Sequence, residues 1–120
     1  MNERRKDRSR FKDVALQTWL DAVAQRQKID GIVVADAIGL LVAGGLDLPL
    51  AEEMAATAAR RTLPGDKEVT FVDAAERSTV IRSLTWNDEL LYVSARGDLT
   101  RGRAAIEEAI SGIDRILNKP

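Results

Sequence analysis

Two runs, Gly31-Ile32-Val33-Val34-Ala35 and Leu40-Leu41-Val42-Ala43-Gly44, carry no polar side chain, and they constrain this chain more than any other stretch. Their residues favour strands. Only Asp36, Ala37, Ile38 and Gly39 separate them, which is the length of a hairpin loop. Asp36 can accept hydrogen bonds from nearby amides, and Gly39 can take a positive φ without a Cβ clash. The strands are therefore expected to pair antiparallel. A strand without polar alternation has both faces covered, so the hairpin is expected near the middle of a sheet flanked by helices or by another protein.

After Gly44-Gly45 the pattern turns helical. Asp47 can cap, Pro49 suits the first turn, Glu52 and Glu53 are placed to meet the positive end of the dipole, and Arg60 and Arg61 meet the negative end. Ala51, Ala55, Ala58 and Ala59 make a stripe with almost no side chain, so something is expected to approach this helix closely. Upstream, Phe11, Ala15, Leu16, Trp19, Leu20 and Val23 recur at helical spacing, which predicts an amphipathic helix from Phe11 to about Lys28 with Trp19 on its core side.

Downstream, Leu63-Pro64-Gly65-Asp66-Lys67 is a turn, and Glu68 to Asp73 reads as an edge strand with Val69 and Phe71 on one face and Thr70 and Val72 on the other. Arg77 to Trp86 and Glu89 to Arg96 form a second hairpin about Asn87-Asp88. Its second strand is apolar on both faces and belongs deeper in the sheet. The final helix, capped by Asp98 or Thr100, aligns Leu99, Ile106, Ala109, Ile110, Ile113, Ile116 and Leu117. Gly102 and Gly112 each cost it about 1 kcal/mol relative to alanine, which predicts a compensating close approach to the sheet.

The chain has 120 residues, no cysteine and no histidine. Disulfides, zinc-thiolate sites, imidazole ligands and histidine-based triads are thereby excluded. Glu52 and Glu53 are adjacent and point apart on a helix, Asp36 suits a turn, and no Gly-Lys-Ser or Gly-Lys-Thr follows the glycines. No enzyme activity, cofactor or metal is expected. The formal net charge is −1, which argues against nucleic acid as a partner. The first twelve residues carry +4 and the remainder −5. Residues 1–10 thus read as a basic arm ahead of a domain at 11–118. It offers Arg4, Arg5, Arg8 and Arg10 to an acidic partner or lipid headgroups, or is simply a solvated terminus. No apolar run reaches the length of a membrane span, and a cytoplasmic location is expected.

The order helix, strand, strand, helix, three strands, helix, with IDGIVVADAIGLLVAGG and YVSARGDLTRGRAAIEEAISGIDRIL, resembles the Roadblock family over residues 11–118. Val33, Val34, Asp36, Gly39, Leu41 and Ala43 match the residue types of that family's first hairpin. The resemblance implies an α+β domain: a five-stranded antiparallel sheet with the first and last helices on one face and the middle helix on the other. It implies a homodimer in which Leu50, Ala51, Met54, Ala55, Ala58 and Ala59 meet their copies, while Thr70 and Val72 sit on strands paired across the two-fold axis. It also implies an adaptor without catalysis in a Ras-like GTPase polarity system, placed at cell poles. The chain is similar to the gliding-motility, Mgl-type branch. Its short length without a carboxy-terminal extension points to the shorter, non-activating paralogue there, whose partners are the GTPase-activating Roadblock protein and a polarity adaptor. A second reading is a small-molecule sensor, with Trp86 and Tyr92 lining one pocket.

Overall fold

The computed structural model describes residues 10–118 apart from Leu46, with side chains from Val14 onward. Arg4, Arg5 and Arg8 lie outside the described residues, as does the side chain of Arg10. The elements are α1 (Arg10–Gln27), β1 (Gly31–Asp36), β2 (Leu41–Gly44), α2 (Leu48–Arg61), β3 (Glu68–Val72), β4 (Ser78–Trp86), β5 (Glu89–Gly97) and α3 (Leu99–Leu117). The strands form one antiparallel sheet in the order β2-β1-β5-β4-β3.

Alternation along the strands divides the core between two faces. Ile32, Val34, Val80, Leu91 and Val93 face α1 and α3, where Leu16, Leu20, Val23, Ile106 and Ile113 complete a buried cluster. Val33, Ala35, Ile81 and Tyr92 face α2. Each fully buried leucine, isoleucine or valine contributes roughly 1.5–3 kcal/mol, so the double-helix face dominates. β5 is the central strand and β3 an edge strand, as the polarity patterns require.

The first hairpin departs from expectation. β1 is buried along its whole length, but β2 is an edge strand whose Leu41 and Val42 are only half-buried. Apolar residues on both faces of β2 record that helices cover both sides of the sheet, not that another strand follows. The β2 edge is partly closed by α1: Gly44 donates its N–H to Gln17 Oε1 at 2.8 Å, while the same carboxamide donates to Asp21. Asp36 has its turn role, accepting from the amides of Ile38 (3.1 Å) and Leu40 (2.9 Å).

The helix ends follow their sequence with one exception. Asp47 accepts from Leu50 N and Asp98 from Arg101 N. Glu52 and Glu53 do not meet the α2 dipole, since the first turn begins at Leu48 and contains no acid. The two α3 glycines also divide. Gly102 sits over Val80 and Ala95 of the sheet, whereas Gly112 faces Trp19 of α1, not the sheet. Trp19 is half-buried there and donates its Nε1–H to Ala109 O at 3.2 Å.

Candidate self-association surface

β3 is held between two aspartate-built turns. Asp66 accepts from Leu63 N at its start; beyond its end, Asp73 accepts from the amides of Ala75 and Arg77. Between them β3 pairs with β4 in unbroken register over five positions, from Glu68 opposite Arg82 to Val72 opposite Ser78. Ser83 N donates to Lys67 O, and Asp73 N to Arg77 O. Those two bonds fix the odd-numbered residues as the ones whose peptide groups face β4, so the peptide groups of Glu68, Thr70 and Val72 face outward. Thr70 and Val72 are exposed, Val72 at 66%. The strand thus presents an unpaired edge flanked by polar and apolar side chains on the α3 side.

On the other side, Val69 and Phe71 tuck under α2, and the Arg61 guanidinium lies over the Phe71 ring at 4.4 Å. Leu50, Met54, Thr57 and Phe71 contribute to a notch of about 70 Å³ between α2 and β3. The alanine stripe is not the outer surface of α2. Ala51, Ala55 and Ala58 are buried against Val33, Ala35, Ile81 and Tyr92 of their own sheet and offer no surface on the single chain, while Met54, 5% exposed, reaches the surface only in the notch beside Phe71. The close approach that small residues signal is intramolecular: a Cβ added to Gly45 would stand 2.2 Å from the Ala51 methyl, and one on Gly39 3.2 Å from that of Ala59. Of the expected contact residues, Leu50 and Ala59 are half-buried, and Thr70 and Val72 are exposed. The outward face of α2 carries Leu48, Glu52, Glu53, Ala56 and Arg60 instead.

An ionic cluster that no local pattern announces locks this end of the sheet. Arg77 binds Asp30 through two bonds of 3.0 Å, and Arg96 bridges Asp30 (2.7 Å) and Asp73 (2.8 Å). The Arg96 guanidinium, followed by the Arg77 amide, holds the Asp73 carboxyl below the usual carboxylate range. At the start of β3, Arg82 does the same for Glu68, with Arg103 assisting.

Trp86 and Tyr92 do not share a pocket. Trp86 packs on the α1–α3 side and donates to Asn118 Oδ1, while Tyr92 belongs to the α2 side. An open cleft of about 900 Å³ does lie beside Tyr92, walled by Leu63, Pro64, Thr85 and Leu90. Among the described residues no cluster of acidic side chains could hold a metal ion, and no helix is long and apolar enough to cross a membrane.

Neither a family model nor a curated protein matches the sequence. Solved structures do. MglB of Myxococcus xanthus superimposes with a TM-score of 0.62 at 13% identity, covering 87% of this chain and 88% of that one. The fold is the Roadblock-like fold of MglB. An MglB with a tetrameric arrangement (TM-score 0.60, 15% identity, 88% and 89% covered) and the gliding protein MglB of Thermus thermophilus (0.59, 14%, 88% and 90%) agree. The layer order expected from the resemblance, α1 and α3 on one face and α2 on the other, is the one observed.

Proposed function

We propose that this chain is a non-enzymatic, homodimeric adaptor in a small Ras-like GTPase polarity system, engaging a paralogous Roadblock protein, a polarity adaptor, or both. The MglB-like fold supports the GTPase setting, and within that branch the chain corresponds to the shorter, non-activating paralogue. The observation that carries self-association is the unpaired β3 edge, at which the peptide groups of three successive even-numbered residues face solvent. Two copies pair antiparallel about Thr70. That register gives the longest overlap of two five-residue strands. It sets Glu68 against the partner's Val72 instead of its own copy, and Lys67 against the partner's Asp73. On the opposite edge the Gly44 amide of β2 is already bonded to Gln17, which favours growth at β3.

Thr70→Pro removes one outward amide from an edge strand, where proline is tolerated, and leaves the β3–β4 ladder intact. Light scattering gives a dimer for the native chain and a folded monomer for the variant. A native monomer at tens of micromolar, or a variant that stays dimeric, refutes the interface. As an adaptor, the chain is expected to turn over no GTP alone. Mixed with the activating Roadblock protein and its GTPase, it changes the rate of hydrolysis, and an unchanged rate together with no complex refutes the adaptor role.

A further inference from the structure

β4 is nine residues long but β3 covers only Ser78 to Arg82, so beyond Ser83 the outer edge of β4 has no neighbouring strand. Ser83 directs its N–H to Lys67 O, on the β3 side, and alternation directs both peptide groups of Thr85 the same way. No hydrogen bond engages them among the described residues, and they open into the 900 Å³ cleft. The cleft arises because Pro64 and Gly65 carry the chain away from the sheet, leaving Leu90 and Tyr92 as a floor and Leu63 and Pro64 as a wall. Thr62, only 8% exposed, also lines it, and its Oγ1 is buried without a partner. The charges of the lining are already committed, with one exception. Arg82 is met by Glu68 and Glu107, Glu68 also by Arg103, and Asp66 accepts from Leu63 N, whereas Lys67 has no ion pair among the described residues.

We propose that this cleft binds an extended peptide of a partner protein, apolar in its middle and acidic at the end beside Lys67, as a short strand added to β4. The strand continues the line of β3. Its backbone meets the donor and acceptor of Thr85, its apolar side chains cover Tyr92 and Leu90, a polar group reaches the Thr62 hydroxyl, and its carboxylate answers Lys67. Strand addition to an unpaired edge takes affinity from backbone bonds and selectivity from the flanking pockets. The unpaired stretch is three residues, Leu84 to Trp86, so the complex is a weak, exchanging one. The site is separate from the β3 edge and does not depend on self-association.

The probe is the peptide acetyl-Thr-Val-Thr-Val-Glu-amide, titrated to several millimolar into the isotopically labelled full chain and followed by amide NMR shifts. The expected result is saturable shifts at Thr62, Lys67, Ser83, Thr85 and Tyr92, with slowed exchange of the Thr85 amide. Thr85→Pro, which removes the outward donor, weakens binding about fivefold. Lys67→Ala, or glutamine in place of the peptide's glutamate, weakens it about threefold. Thr62→Val weakens it by a similar factor at nearly constant volume. Absence of shifts, binding that is indifferent to Thr85→Pro, or shifts confined to Glu68–Val72 would each overturn the proposal, and the last would leave the dimer reading standing.

Discussion

Gly102 and Gly112 occupy the same helix and carry the same intrinsic penalty, yet replacing each by alanine is expected to move stability in opposite directions. Alanine gains about 1 kcal/mol over glycine in a helix interior. At Gly102 the new methyl would lie 3.6 Å from Val80 Cγ2 and 3.9 Å from the Ala95 methyl, which is ordinary contact. The propensity gain survives, and at about 4 °C per kcal/mol for a domain of this size the midpoint rises by about 4 °C. At Gly112 the methyl would stand 2.0 Å from Trp19 Nε1 and 2.2 Å from Cε2. The rigid indole must shift by more than 1 Å, breaking its bond to Ala109 O and loosening the α1–α3 contact. Overpacking of this kind costs about 1–3 kcal/mol, so it outweighs the gain and leaves a net loss of about 1 kcal/mol. Thermal unfolding followed by circular dichroism at one protein concentration reads both signs, and tryptophan emission reports the displaced ring. If both variants shift the same way, the packing of α3 on α1 described above is wrong.

Ala55→Glu places a charge where the α2 side of the sheet offers no partner, at a cost of about 3–5 kcal/mol, and yields unfolded chain at any concentration; Ala56→Glu, one residue along on the exposed face, stays within about 0.5 kcal/mol of the native chain by denaturant titration. A folded Ala55→Glu monomer would return the alanine stripe to the dimer interface. Asp47→Ala removes the α2 cap and costs about 1 kcal/mol in the same assay. Asp73, Glu68 and Glu108 all have carboxyl groups held below their ordinary values by arginines Arg96, Arg82 and Arg26. Their contribution is therefore complete above the ordinary carboxylate range and is lost as pH falls through and below it. With no histidine in the chain, stability measured by urea titration is expected to be flat from pH 6 to 8 and to decline below about pH 4. A marked change between pH 6 and 8 would contradict this.

The strands were readable because burial leaves a local record. Val69 and Phe71 against Thr70 and Val72 state which face of β3 is covered, and β5 is apolar on both sides because it lies at the centre. Lateral position is recorded less directly. β2 looks like an interior strand because α1 and α2 shield its two faces, and nothing in Leu41-Val42-Ala43 reveals that no strand lies beyond it. The stripe of Ala51, Ala55 and Ala58 announced a close approach but not what approaches, and the nearest surface proved to be the helix's own sheet with Gly39 and Gly45. Asp30, Arg77 and Arg96 read as scattered surface charges. Their cluster joins residues 47 and 66 positions apart, which only the strand order brings together.

Self-pairing of β3 is tested most directly by a nitroxide placed at Thr70, which is straightforward because the chain has no native cysteine and Thr70 is exposed. In the register proposed, the two Thr70 Cα atoms lie about 5.5 Å apart, as in any hydrogen-bonded antiparallel pair. The spectrum of Thr70→Cys labelled throughout is then strongly broadened by dipolar coupling, and dilution with unlabelled chain removes the broadening. An unbroadened spectrum from a sample that light scattering shows to be dimeric would mean that the two sheets do not join at β3.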